Sequence, residues 1–349
     1  MAWGNSFFFL LVLTGITGSA AYITFKCLAC IAQKVGCVEV LYYMMKGVSV
    51  FSLLPIGYFY YKWVTSEQLT GDICLRVHEN IWADVMLRKL LCVWVTGAGI
   101  VGMVYCLRYL RFCKGKTLNI PFQNPEIESM FYNMYSNRRI KRVRIYKNFA
   151  LESPCVMGVI RPILVLPEYE YEKEELKIIL AHEATHIVCR DNLWKAIGVV
   201  IAVLGWWNPL FRTVLLDLEV WAEIHCDYLV CKKFLDGNRK LYATTLVKAA
   251  LGIDLDVPTK VSRGGGKQLL ERIRRLSKCS VTTKHIVWGI VLAAVFAVAS
   301  STVAVSAGRC MQVLETHVCQ KRAGQSAFPV EGINSIKSEE KELTLKMPK

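Results

Sequence analysis

Four long apolar stretches constrain this chain more than any other feature, because backbone polar groups enter a bilayer only inside helices or closed barrels. They cover about residues 6–25, 38–61, 90–110 and 286–307, each near the roughly 20 residues that a helix needs to cross the hydrocarbon core. With 349 residues, 54% of them hydrophobic, and a mean hydropathy of +0.33, the chain is too apolar for a typical soluble protein. It is long enough for a membrane part plus one compact domain. The second stretch is the weakest, since Glu39 and Lys46 interrupt its start. They either pair or face the bundle interior, or they leave only residues 47–61 deeply embedded.

Lysine and arginine near the membrane set an orientation. No basic residue precedes the first stretch, while Lys26 and Lys34 follow it. Arg108, Arg111, Lys114 and Lys116 follow the third, and Arg272, Arg274, Arg275, Lys278 and Lys284 precede the fourth. All three clusters fall on one side if the N-terminus is outside. The expected division is then a membrane domain over 1–111 with three spans, a cytoplasmic domain over 112–284, a fourth span over 285–307 and a short extracytoplasmic tail over 308–349. The first stretch lacks a basic region before it and reads as an anchor, not a cleaved signal peptide.

The net charge of +15 concentrates locally. The run Arg138-Arg-Ile-Lys-Arg-Val-Arg144 is the densest part. Beside a membrane helix, such a run reads first as a contact for anionic lipid. A basic face for an acidic partner or substrate is the other reading, and no motif supports nucleic-acid binding. Most of the fourteen cysteines lie in the apolar stretches or the cytoplasmic segment, where thiols stay reduced, and no zinc-ribbon or redox motif is expected among them. Cys310 and Cys319 in the tail could close a small disulfide loop.

The cytoplasmic segment shows local order. Residues 120–140 read as helical and 143–146 as a short strand. Residues 153–167 read as a pair of β-elements, turning at Gly158 and Arg161-Pro162, with Ile163, Leu164, Val165 and Leu166 as the second strand. Residues 172–175 supply an acidic first helical turn. Leu176, Ile179, Leu180, Ala184, Ile187 and Val188 continue it at helical spacing. Residues 196–207 are apolar but too short to span. They predict a buried or membrane-surface helix that bends near Asn208-Pro209, with a re-entrant hairpin as the alternative.

The helix that starts at residues 172–175 carries His182-Glu183-Ala-Thr-His186. Residues four apart share a helical face, so both histidines can turn a ring nitrogen toward one ion. Glu183 lies about 100° round from His182, within reach of a water on that ion. Two ligands and one general base are the parts of a metal-dependent hydrolase. With 6 His and 20 Glu in 349 residues, chance places the pattern about 0.006 times per chain. A third ligand is expected on a later helix, in Glu219-Val-Trp-Ala-Glu-Ile-His-Cys-Asp227. Glu223 would complete a three-ligand site with an open water position. Asp227, one turn on, would accept a hydrogen bond from a liganding histidine. Glu219 shares that face and competes, whereas His225 points about 200° away. Asp191 is either a similar orienting carboxylate or half of an exposed Arg190-Asp191 pair.

The whole resembles the BlaR/MecR-type membrane metallopeptidases, the antirepressor family of bacterial β-lactam sensing. The likeness rests on Ser153-Pro…Gly158…Arg161-Pro162…Leu166-Pro167, on His182-Glu-x-x-His186 followed by Arg190-Asp191, on Asn208-Pro209, and on Glu223-Ile-His-Cys-Asp227. The segment Leu270-Glu-Arg-Ile-Arg-Arg-Leu276 and the three-plus-one arrangement of spans add to it. The resemblance implies an α-helical membrane bundle of four spans with an inserted α+β, zincin-like (gluzincin) domain. It further implies one Zn2+ held by His182, His186 and Glu223, Glu183 as base, Asp227 and Asp191 behind the ligands, and the strand Ile163–Leu166 holding substrate backbone. The implied function is a membrane zinc endopeptidase that cuts a cytoplasmic repressor, or itself, in signalling. Its expected partners are a winged-helix transcriptional repressor, the lipid bilayer and a second copy of the chain, with no direct nucleic-acid contact. Family members that sense β-lactams carry a large penicillin-binding domain after the last span; here 42 residues follow Ala307. Ser338-Glu-Glu-Lys341 reads as accident, and β-lactam acylation is not expected. A housekeeping peptidase of the HtpX kind shares the HExxH and a later ExxxD, but the spans and the 153–167 pattern argue against it. A non-proteolytic receptor with structural zinc is the remaining alternative.

Overall fold

Asn-Pro pairs mark where two helices begin. Asn124 and Asn208 each cap a helix with the side-chain oxygen, and Pro125 and Pro209 occupy the first helical position, where a missing N–H costs nothing. The computed structural model describes residues 2–35, 38–56, 59, 81–114, 119–149, 151, 153–168, 171–235, 238–251, 270, 272–274 and 283–326. In chain order, its helices are α1 (Ala2–Val35), α2 (Val38–Leu53), α3 (Ile81–Lys114), α4 (Pro125–Asn133), α5 (Lys173–Cys189), α6 (Asp191–Leu204), α7 (Pro209–Phe234), α8 (Arg239–Leu251) and α9 (Thr283–Ser326). Four short strands lie between α3 and α5: β1 (Ile120–Pro121), β2 (Arg144–Lys147), β3 (Cys155–Met157) and β4 (Ile163–Leu166).

Among the described residues three helices are long and apolar enough to cross a membrane, over Leu10–Cys30, Arg88–Arg111 and Val287–Ala307. The second apolar stretch forms a helix of 16 residues, short of the roughly 20 a span needs. It ends at Leu53, before Pro55, and residues 57–58 and 60–61 lie outside the description. The chain after the last span departs from the expected tail, because α9 continues to Ser326. Cys310 and Cys319 therefore stand nine residues apart in one helix, about 13.5 Å along its axis. The side chains of both cysteines lie outside the described residues. One C-x-x-C spacing exists where none was expected, Cys27 to Cys30 in α1, with both residues exposed.

The expected helix over 120–140 is confined to α4. Ile120–Pro121 pairs with β2 instead, and the Asn124 cap delays the helix start. The sheet has the order β1-β2-β4-β3. β4 runs parallel to β2, with Arg144 opposite Ile163, and antiparallel to β3, with Val156 opposite Leu164. Both edges of β4 are thus taken. The expectation that Ile163, Leu164, Val165 and Leu166 receive a substrate strand is corrected by this pairing, since an added strand needs an open edge. The free edge on that side belongs to β3.

Gly158 makes the β3–β4 turn. Its φ is +89°, and a Cβ there would lie 2.7 Å from the Arg161 carbonyl oxygen. Gly158→Ala is expected to lower the apparent unfolding temperature by about 2–6 °C, the equivalent of roughly 1–2 kcal/mol. Thermal unfolding of the detergent-solubilised protein checks it, and an unchanged transition would show that the turn relaxes freely.

Three cores hold these elements. Phe131, Ile145, Leu164, Leu180 and Ala184 join the sheet to α4 and α5. Ala181, Cys226, Val230 and Tyr242 join α5, α7 and α8. The third crosses the boundary drawn from sequence: Phe25 of α1, Tyr42 and Met45 of α2 and Phe296 of α9 pack with Leu218 and Trp221 of α7. Helices α6 and α7 form a hairpin whose tip wedges against α1 and α3. Gly15 of α1 touches the Trp207 ring, Gly97 of α3 touches Trp206, and Asn208 donates to Ser19. Trp94 and Trp206 exchange indole hydrogen bonds with the Leu204 and Trp94 carbonyls at 3.0 and 3.1 Å. The expected bend at Asn208-Pro209 is therefore a full break between antiparallel helices.

Candidate metal centre

Helix α5 ends at Arg190, whose φ of 58° turns the chain into α6. This reversal brings Asp191 back over the last turn of α5, while α7 crosses the other side. Between them His182 and His186 approach Nε2 to Nε2 at 3.2 Å. Glu223 of α7 places its two carboxylate oxygens 3.5 Å from His182 Nε2 and 3.6 Å from His186 Nε2. A tetrahedral ion with bonds of about 2.0–2.2 Å separates its ligand atoms by roughly 3.3–3.6 Å. Two imidazoles and a carboxylate at these separations fit such an ion.

Hydrogen bonds on the far side of each ring assign the protons. Tyr242 donates its O–H to Asp227 at 2.7 Å, so its oxygen is left to accept from His182 Nδ1–H at 2.9 Å. His186 Nδ1–H donates to Asp191 at 2.7 Å, and Tyr42 of α2 donates to the other oxygen of Asp191. Both Nε2 atoms are therefore acceptors facing the centre. Asp191 sits as one sequence alternative had it, behind a histidine. Asp227 does not touch His182 as expected; it lies 3.6 Å away and acts through Tyr242. Asp227 is itself clamped by Arg272 at 2.6 and 2.7 Å, and Arg272 also reaches Glu223 at 3.3 Å. Tyr42, Tyr242 and Arg272 were not anticipated from sequence. The only advance signal among them was Arg272, inside the 270–276 segment.

Glu183 is buried and lines the same cleft, a cavity of about 560 Å3. Its carboxylate makes no hydrogen bond or ion pair among the described residues. Burial pushes its pKa up, and the two histidines offset only part of that. Burial would also push Glu223 up, but the histidines hold it well below the usual carboxylate range, with His186 the stronger influence. One buried carboxyl is thus poised to take a proton and the other to stay ionised. Glu219 lines the cleft without pairing to either histidine. His225 stacks on Tyr42 at 3.9 Å between centroids, and burial pushes its pKa down to about 4, so it is a neutral packing ring. Cys226 offers a competing donor, since its sulfur and one nitrogen of each histidine lie within 4.8 Å of one another. Its closest contacts are the Nδ1 and carbonyl oxygen of His182, at 3.3 and 3.2 Å. That is the side of the ring Tyr242 already occupies, away from the Nε2 pair.

Tyr42→Phe removes one donor to Asp191 and keeps the ring. Loss of such an outer partner is expected to weaken metal binding about 10–100-fold, measured by competition with a chromogenic chelator. Unchanged affinity would show that Asp191 orients His186 unaided.

Residues 63–276, more than half of the chain, match the model of a family described as BlaR1 peptidase M56. The Regulatory protein BlaR1 of Bacillus licheniformis is 26% identical over 159 residues, which cover 45% of this chain and 26% of that protein. The Methicillin resistance mecR1 protein of Staphylococcus aureus is 22% identical over 190 residues, covering 53% of this chain and 32% of that protein. The chain thus spans about a quarter to a third of the length of the curated relatives it matches. The matched region contains the sheet, the two-histidine helix, the α6–α7 hairpin and Arg272, and on that match the chain belongs to the BlaR1 peptidase M56 family.

Proposed function

We propose that this protein is a zinc-dependent membrane endopeptidase that cuts a cytoplasmic protein, such as a winged-helix repressor, or itself, in transmembrane signalling. The observation that carries the reading is the convergence of His182 Nε2, His186 Nε2 and Glu223 within 3.2–3.6 Å, beside a buried Glu183 that has no hydrogen-bond or ion-pair partner among the described residues. In this reading His182, His186 and Glu223 hold zinc. When bound, the ion supplies Lewis acidity, polarising the scissile carbonyl and acidifying the attacking water.

The chain's own groups do the rest. Glu183 accepts the proton of the attacking water at its carboxylate and delivers it to the leaving amine. Asp191 and Tyr242 hold the histidine rings so that neither can turn its N–H inward. Lys195, 3.7 Å from Glu223, lies at the cleft wall with its charge available to oppose a developing negative oxygen. Pro154, Cys155 and Val156 line the cleft beside the free edge of β3, where an extended peptide can lie along the sheet. The topology that goes with this has the N-terminus outside, the 112–284 region cytoplasmic, α2 as the second membrane helix, and the α6–α7 hairpin re-entrant between α1 and α3.

Purified full-length protein in lipid nanodiscs, incubated with a candidate repressor, is expected to cleave it or itself. Chelation should abolish the cleavage and about one equivalent of zinc should restore it. Zinc-loaded protein that leaves both intact would support the receptor reading instead, and cleavage that survives chelation would remove the metal from the mechanism.

A further inference from the structure

A second cavity, of about 850 Å3, adjoins the metal cleft and shares Val156, His186 and Asn192 with it. Five arginines line it. Arg139 and Arg142 come from the turn before β2, Arg144 from β2, Arg161 from the β3–β4 turn and Arg190 from the link between α5 and α6. No aspartate or glutamate is among its described lining residues. None of the five arginines makes an ion pair among the described residues. A basic run on a solvated face needs no such convergence; here three of its members meet two further arginines from distant parts of the chain.

Arg190 adds an independent observation. It is the one described non-glycine residue with positive φ, at 58°. Glycine is the usual residue where a helix ends in the left-handed region. Here a long cationic side chain occupies that position and lies on the wall of this cavity.

The direction of β3 says what the cavity takes. Residues 153–156 line the metal cleft, and residues 156 and 158–160 line the arginine cavity. A peptide lying along β3 therefore leaves the cleft directly into the arginines. At about 3.3 Å per residue, positions roughly two to five from the scissile bond, on one side, reach them. The walls also carry Val159, Ile160 and Pro162, with Ile160 91% exposed at the rim. An inorganic anion would leave that apolar rim unused.

The geometry points to a specificity site for acidic peptide: the enzyme selects substrates with glutamate or aspartate, flanked by apolar residues, a few positions to one side of the cleaved bond. This rests on the reading of the adjoining cleft as a peptidase centre. Guanidinium–carboxylate pairs in a partly enclosed cavity are directional and only partly screened, so the selection operates at cellular salt.

The test uses full-length Glu183→Gln protein in phosphatidylcholine nanodiscs and two fluorescent peptides, one with a Glu-Glu pair beside apolar residues and one with Gln-Gln in its place, with a Lys-Lys version as a third for the charge-reversed variant. The acidic peptide should bind at least tenfold tighter by anisotropy. The advantage should shrink between 50 and 300 mM salt, vanish in Arg144→Gln/Arg161→Gln, and reverse toward a Lys-Lys peptide in Arg161→Glu/Arg190→Glu. Equal affinity for both peptides, or an advantage that survives the arginine replacements, would overturn the proposal. So would arginine-dependent retention of phosphatidylglycerol vesicles without any peptide preference, which would return the run to a lipid role. Hydrolysis by the unmutated protein separates the two readings. Binding preference without cleavage of either peptide supports the cavity and removes the peptidase, while equal binding and equal cleavage removes only the cavity.

Discussion

Glu183→Gln should retain the metal and lose peptide hydrolysis by about a hundredfold to ten-thousandfold, the range that a positioned general base supplies. The substitution keeps the shape and volume of the side chain. Helix α5 and the Leu180–Ala184 face that packs on the sheet are therefore unaffected. Glu223 and the two histidines keep their separations, because Glu183 bonds to none of them. What disappears is the only described carboxylate in the cleft that lacks a protein partner and whose pKa burial has raised. Metal content by atomic emission and turnover of a quenched-fluorescence peptide, measured on one preparation, give both halves of the result. Comparable turnover in the two proteins would sink the assignment of the base.

Glu223→Ala should cost more metal affinity than the 10–100-fold expected for an outer partner, leaving well under one equivalent after gel filtration. The carboxylate supplies the third donor, and alanine leaves two histidines facing an open cleft. Cys226→Ser separates the two donor sets. If Glu223 is the ligand, the serine variant keeps about one equivalent, because Cys226 contacts His182 on the Nδ1 and carbonyl side. If the serine variant loses metal and Glu223→Ala keeps it, the donor set is two histidines and a cysteine.

What the sequence made legible was local. His182 and His186 share a face because four residues make one helical turn, and Glu223 and Asp227 obey the same spacing on α7. The β3–β4 turn announced itself through Gly158 and the Arg161-Pro162 step. What it did not carry was long-range partnership. Tyr42 reaches Asp191 across 149 residues, Tyr242 reaches His182 across 60, and Arg272 reaches Asp227 across 45. A tyrosine in an apolar stretch has the same local pattern whether it faces lipid or orients a carboxylate. The choice between β3 and β4 as the open edge was likewise unreadable. Ile163–Leu166 is apolar enough for either place, and only the parallel pairing with β2 buries it. The arginine run was visible as charge, but not as the wall of a cavity, because Arg161 and Arg190 join it only through the fold.

The core shared by α1, α2, α7 and α9 has a practical consequence for dissecting the protein. A fragment cut at residue 112 would carry all three metal-facing side chains, yet it would not be an autonomous unit. Leu218 and Trp221 would lose Phe25 and Met45 as packing partners. Asp191, 2% exposed in the whole protein, would lose the Tyr42 hydroxyl. Replacing these neighbours with water at that face removes roughly 1.5–3 kcal/mol for each large side chain uncovered, a large fraction of a domain's net stability. Helices α1 and α2 are therefore part of the scaffold that keeps the histidines in register, and metal retention and the packing of these helices should be lost together, in one cooperative step, on heating or on delipidation.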